Sequence, residues 1–199
     1  MNTLSKSERT RNFIIESTAE IFNKKGYIGT SLSDIIEATG FSKGCIYGNF
    51  QNKEEVALAA FDYNLAKIAQ LVSRQMASAC SSLDKLMVYV NIYDHYRIPP
   101  FPDGGCPIMN TAIESDDTNN ILKDKAAKAI GKWEEQIVGI IFSGIAKGEL
   151  KNTIEPLQYA SSIIAMLEGG MMLSKATNNQ TQLQRVKKTI RSLIENMMI

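Results

Sequence analysis

The side chains of this sequence that could do chemistry are few and scattered. His95 is the sole histidine, and nothing accompanies it at the spacing of a nucleophile elbow, a phosphate-cradling loop or an HExxH zinc helix. It reads as a satisfied or exposed histidine rather than a catalytic base. Cys45, Cys80 and Cys106 are odd in number and lack CxxC spacing, which suits reduced thiols better than a disulfide framework. Cys45 reads as an inert small side chain rather than a redox sensor. Glu114, Asp116 and Asp117 could ligate a cation, but acids at such a point serve more often to cap and solvate a helix start. No catalytic residue, metal or cofactor is therefore expected. What remains is non-covalent chemistry. Ser42, Lys43, Gly44 and Cys45 combine short side chains, a glycine and a cation, and such a run lets a backbone approach phosphates and base edges. Thr30 and Ser31 stand before another helix start, where unpaired amides could clamp a phosphate.

Those residues need elements to present them. Helical spacing recurs from end to end while strand-like alternation is scarce, so the expected class is all-α, with about nine helices. Ile14, Thr18, Ile21 and Phe22 line one face of a helix running from Ser7 to Lys25 and ending at Gly26. Ser31, with Asp34 three residues on, caps a second helix that buries Leu32, Ile35 and Ile36 and closes at Gly40. Only Phe41 intervenes before Ser42 caps a third, from Lys43 to about Asn49, anchored by Ile46 and Phe50. Three short helices with a tight turn before the last match a helix-turn-helix, whose final helix enters a duplex groove. Asn52 then caps a longer helix towards Met76, with Glu54 and Glu55 where the helix dipole favours acids.

Further helices are expected over about Leu83 to Arg97, stopped by Pro99-Pro100, then Ile108 to Glu114, Asn119 to Lys147, Ile154 to Ala176 and Thr181 to Met198, with Phe101 to Pro107 as a loop. The chain has 199 residues, with 44% hydrophobic and 22% charged side chains, which is ordinary globular composition. Lys plus Arg (22) nearly cancels Asp plus Glu (21), so net charge does not announce a nucleic-acid partner. Residues 1 to 55 hold seven bases and seven acids; binding would depend on their distribution, with Lys6, Arg9 and Arg11 expected on a short arm near phosphates. The N-terminus lacks a secretory pattern and the longest apolar stretches fall short of about 20 residues, so no membrane span and a cytoplasmic location are expected.

The stretch GYIGTSLSDIIEATGFSKGCIYGNFQNKEEV resembles the signature of the tetracycline-repressor (TetR) family. The matching positions include Gly26, Ser31, Ile35, Gly40, Ser42, Lys43, Gly44, Tyr47, Phe50, Lys53 and Glu54; Gly48, Asn49 and Asn52 depart from the common pattern. The resemblance implies phosphate contact by Tyr47, Lys53 and the Thr30 region, with Lys43 and its neighbours, Asn49 among them, facing the groove. It also implies a division into a DNA-binding domain, residues 1–52, and a ligand-binding and dimerisation domain, residues 53–199. The C-terminal helices are expected to pair with a symmetry mate through Ile163, Leu167, Gly170 and Met171 on one helix and Val186, Ile190, Leu193 and Met197 on the other, an intramolecular core being the alternative use of the same stripes. A homodimer then predicts a palindromic operator in double-stranded DNA, with half-sites roughly 34–36 Å apart or a multiple of that.

An effector pocket is framed around Tyr89, Tyr93 and Tyr96, with Cys106 and Met109 in GGCPIMN and Trp133, Ile137 and Ile141 on the long helix. A small hydrophobic or aromatic effector fits that lining, although Met and aromatic residues at helical spacing are more often plain core. The implied function is a ligand-responsive repressor of transcription. Two other readings compete. An enzyme has no motif to rest on, and a helical protein-binding adaptor would show itself by failing to bind any duplex at low salt.

Overall fold

The structure, a computed structural model, describes residues 4–199, apart from the side chain of His95. Among the described residues are nine α-helices and one short 3-10 helix: α1 Lys6–Gly29, α2 Leu32–Thr39, α3 Lys43–Tyr47, α4 Lys53–Met76, α5 Ser82–Asn91, the 3-10 helix Ile92–His95, α6 Pro107–Ser115, α7 Asn120–Ala146, α8 Pro156–Ala176 and α9 Gln180–Glu195. The all-α expectation stands. The expected helix from Leu83 to Arg97 stops sooner, with the α-form ending at Asn91. No described helix is long and apolar enough to cross a membrane.

The chain forms two compact units. One comprises residues 1–69 and 97–127, the other residues 70–96 and 128–199, so the division falls within α4 and α7.

In the first unit the helix starts are set by local hydrogen bonding. Ser5 with Glu8 and Ser31 with Asp34 form reciprocal capping boxes at α1 and α2, each satisfying amides that the helix cannot pair internally. Gly40, at φ 68°, ends α2 in the left-handed conformation, and its amide donates to Ile36 O. Ser42 Oγ then accepts from Cys45 N to start α3, so the turn between the helices is as short as the glycine and the cap permit. Ile14, Phe22, Ile35, Ile46, Phe50 and Val56 close into one core. Each fully buried aliphatic or aromatic side chain there contributes about 1.5–3 kcal/mol. Ile21 is only half-buried, at the margin of the face expected to carry it.

Lys6, Arg9 and Arg11 are not on a free arm, because α1 begins at Lys6. Asn64 of α4 is buried and donates from Nδ2 to Ala19 O at 2.8 Å, which pins α4 to α1.

In the second unit α8 and α9 pack closely. A Cβ on Gly170 would lie 3.1 Å from both Leu183 Cδ1 and Val186 Cβ, so the missing side chain is what brings the helices together. Buried Lys187 of α9 pairs with Asp94, which also accepts from Gln184 Nε2 at 3.2 Å. Leu150 and Met198 form an antiparallel bridge that ties the residues after α7 to those after α9.

The residues expected at a dimer interface have a different use here. Ile163, Leu167, Gly170, Met171, Ile190 and Met197 are buried inside this one chain, and only Val186 and Leu193 remain half-exposed. Hydrophobic periodicity marks a face that is covered; it does not say whether the cover comes from the same chain. The apolar surface left open on α8 lies instead at Leu157, Ala165, Met172 and Leu173.

Candidate nucleic-acid interface

The amino end of α3 is open to solvent. Ser42, Lys43 and Gly44 are exposed, Cys45 is half-buried, and Tyr47 is 37% exposed. Lys43 and Tyr47 are four residues apart, which puts them on one flank of the helix. Beneath them Ile46 and Phe50 are buried, so the short helix is held by its inward anchors rather than by its own length. At Gly48 a Cβ would sit 3.2 Å from Gly44 O, a tight contact that a shift of a few tenths of an ångström would relieve.

The other expected contacts are arranged around this helix in unequal ways. Asn49 is half-buried and braces the helix: its Nδ2 donates to Cys45 O at 2.9 Å, and its Oδ1 accepts from Ser7 Oγ at 3.3 Å. Arg11 carries part of the same support. Its guanidinium donates to Asn49 O and, at 2.7 Å, to Glu55 Oε1, and it lies 4.0 Å from the centre of the Phe50 ring. Hydrogen bonds from the Gln51 amide and from Arg11 hold the Glu55 carboxyl below the usual carboxylate range. Sequence reasoning placed Arg11 near phosphates; the structure places it between α1, the end of α3 and α4.

Thr30 cannot offer its side chain to DNA. It is wholly buried, and its hydroxyl donates to Gly26 O at 2.6 Å, so its task is to close the corner between α1 and α2. Ser31 is exposed, yet its hydroxyl and amide both bond Asp34 Oδ2, at 2.8 and 2.7 Å. Asp34 therefore already puts a carboxylate at the positive end of α2. The Lys25 ammonium beside it and the two Ser31 bonds drive its carboxyl far below the usual range. A phosphate approaching the same helix end would meet that charge, which leaves only the unshared part of the helix terminus for an anion.

Lys53 occupies a middle position. Half-buried at the start of α4, it donates from Nζ to Tyr27 O at 2.8 Å and Thr30 O at 2.9 Å, and lies 4.3 Å from the centre of the Tyr27 ring. An ammonium has three donors, so these two bonds leave one over. Burial raises the Tyr27 phenol above its ordinary value.

The corner from Gly26 to Ser31 has one more partner that sequence gave no local signal for. Glu114 of α6 accepts from Tyr27 N at 2.8 Å and Ile28 N at 2.9 Å. Both carboxylate oxygens of Glu114 are thus engaged by backbone amides, and among the described residues no group of three or more His, Cys, Asp or Glu side chains is placed to hold a metal ion.

The residues expected to line an effector pocket divide between the units. Cys106 and Met109 belong to the first, Cys106 being buried. In the second, Tyr93 stacks on Trp133 with centroids 6.3 Å apart and planes at 10°, and Tyr89 lies 6.4 Å from the same ring. Tyr93 Oη donates to Glu168 Oε1 at 2.8 Å, Tyr89 Oη donates to Gln136 Oε1 at 3.1 Å, and Tyr96 Oη shares a bond of 2.9 Å with Ser174 Oγ. Burial raises the Tyr89 phenol above its ordinary value. Ile137 and Ile141 are wholly buried, and Trp133 Nε1 is buried without a hydrogen-bond partner among the described residues.

Comparison with known proteins bears on both halves of the chain. A family model described as "Bacterial regulatory proteins, tetR family" matches residues 14–60, and one described as "Tetracyclin repressor-like, C-terminal domain" matches residues 82–190. A crystal structure of a TetR-family transcriptional regulator from Cytophaga hutchinsonii is 43% identical, with a TM-score of 0.96 over 100% of this chain and 99% of that one. A TetR transcriptional regulator from Chloroflexus aurantiacus is 36% identical, with a TM-score of 0.92 over 98% of each chain. The HTH-type transcriptional regulator ArpR of Pseudomonas putida is 40% identical over 173 residues, 84% of this chain and 80% of that protein.

Proposed function

This chain belongs to the TetR family of DNA-binding transcriptional regulators, and from that premise we propose that it is a repressor that holds a palindromic operator as a homodimer and lets go when a small molecule binds. The observation that carries the reading is the exposed amino end of α3, where Ser42, Lys43 and Gly44 stand open above a buried Ile46 and Phe50. Readout in the major groove needs the amino end of the recognition helix held firmly and open to the base edges. Lys43 reads the groove, while Tyr47 and the remaining donor of Lys53 contact phosphate. Ser31, whose hydroxyl and amide are taken by Asp34, and Thr30, whose side chain is buried, add no contact.

Dimerisation uses the open apolar strip of α8, Leu157, Ala165, Met172 and Leu173, with Val186 and Leu193 of α9 contributing what they leave exposed. The effector is a flat hydrophobic molecule with a hydrogen-bond acceptor. Trp133 Nε1, buried and unpartnered beside two tyrosines, supplies a donor whose isolation costs about 1–3 kcal/mol until an acceptor meets it. Release follows if the ligand-bound state spaces the two α3 helices wrongly for successive grooves. A cytoplasmic location follows from the partner.

Selection of duplexes from a random pool by the full-length protein, followed by anisotropy titration over a range of salt, tests the reading. A palindromic consensus bound with a steep inverse salt dependence is expected. Retention of no duplex even at low salt would leave the adaptor reading in its place.

A further inference from the structure

We propose that Glu114, far outside the helix-turn-helix in sequence, is a positioning residue for the DNA grip, acting by latching the corner that aims α2 and α3. The inference rests on the DNA-binding reading above and adds a determinant to it. At Gly26 the chain takes φ 74° and leaves the helical path, so the amides that follow need partners from elsewhere. One carboxylate supplies both, with Glu114 Oε2 accepting from Tyr27 N and Oε1 from Ile28 N. Gly26 makes room for it: a Cβ there would lie 2.3–2.5 Å from the carboxylate atoms. The glycine is thus required twice, for its backbone conformation and for the approach of Glu114.

The helix that carries Glu114 is itself fastened to α1 one turn earlier. Asn110 Nδ2 donates to Asn23 O at 2.9 Å and Gly104 O at 3.0 Å, while Asn23 Nδ2 donates to Asp103 O at 2.7 Å and Gly105 O at 2.9 Å. Gly104, at φ 93°, allows this contact, because a Cβ would fall 2.9 Å from Asn23 O. On its other side the same corner is held by the Thr30 hydroxyl on Gly26 O and by Lys53 on Tyr27 O and Thr30 O. The next residue, Ser31, is the cap that starts α2. With so short a turn between α2 and α3, a change in the corner carries α3 with it. The latch therefore sets the direction of the groove-facing helix without touching DNA.

The sign of the effect separates this role from simple electrostatics. Glu114 is an anion in a unit that meets a polyanion, so deleting its charge should strengthen binding if charge were its only influence. A positioning role requires the opposite. The test uses the full-length chain, the duplex selected by the unsubstituted protein, and hydrogen exchange at assigned amides. Glu114→Ala is expected to weaken binding about tenfold and to speed exchange at Tyr27 and Ile28, while Ile35 and Ile46 stay protected. Glu114→Gln, which keeps one acceptor but sets an amide N–H against a backbone N–H, is expected to fall between. Equal or tighter binding by Glu114→Ala overturns the proposal, and so does loss of protection at Ile46, which would mean that the head itself had come apart. If the unsubstituted protein selects no duplex, the DNA-binding reading fails first and the proposal goes with it. A selected duplex that Glu114→Ala binds normally defeats the latch alone.

Discussion

Replacing Lys53 by methionine separates two roles that the structure combines in one ammonium. Methionine keeps an unbranched stem against the Tyr27 ring and removes the charge, the bonds to Tyr27 O and Thr30 O, and the cation–π contact at 4.3 Å. A hydrogen bond to a charged group is worth about 1.5–3 kcal/mol net, and a cation–π contact at a partly exposed site about 0.5–1 kcal/mol. The side chain is half-buried, so water recovers part of that for the two carbonyls, and a loss of about 2 kcal/mol is expected. For a chain of this size that corresponds to a fall in melting temperature of about 4–8 °C. Loss of one phosphate contact should also lower the slope of log affinity against log salt by about 0.9. Lys43→Ala is the control. Its side chain is exposed, so stability should stay within about 0.5 kcal/mol while affinity falls and base preference changes. Calorimetry with anisotropy titrations at several salt concentrations measures all four quantities. If Lys53→Met melts like the unsubstituted protein, the internal bonds do not hold the corner and the reasoning is wrong.

Thr30→Val removes a buried hydroxyl that donates only to Gly26 O; it should cost about 1 kcal/mol in denaturant unfolding and leave the salt slope unchanged, whereas a smaller slope would mean that Thr30 does reach phosphate. Met172→Glu puts a charge into the open strip of α8 and should produce monomers by sedimentation with much weaker operator binding; an intact dimer would place the interface elsewhere. The carboxyls of Glu8, Asp34, Glu55, Asp84 and Glu149 are all lowered, mainly by hydrogen bonds at helix starts and from Lys25. Because their folded values lie below the unfolded ones of about 4, the stability they add is present above that pH and is lost as pH falls through the folded values. The melting temperature should hold level from pH 7 to about 5 and decline towards pH 3; a level or rising value over that last interval would contradict the assignment.

Local signals carried the first unit well. Ser31 with Asp34, Gly40 and Ser42 each act within a few residues of themselves, so α2 begins and ends where the sequence says and α3 begins there, although α3 stops at Tyr47 rather than at about Asn49. The same holds for the family resemblance, whose motif is contiguous. Arg11, Thr30 and Asn49 were harder to read, because a polar side chain near a proposed interface is equally suited to brace it from within, and only the partners distinguish the two. The missed Glu114 lies 87 residues from Tyr27, with no spacing rule to join them.

The two C-terminal helices mark the boundary between the two kinds of knowledge. Sequence alone determined that this protein is all-helical, that it carries a helix-turn-helix, and which positions of α8 and α9 are apolar, since caps, turns and periodicity are properties of short stretches of chain. Tertiary structure decided what covers those positions: Gly170 lies against Leu183 and Val186 of the same chain, Ile190 is buried within it, and Leu157 and Met172 are left open. The hydrophobic effect has no direction and no memory of chain connectivity, so a stripe records that burial will occur, and only the packed fold says against what.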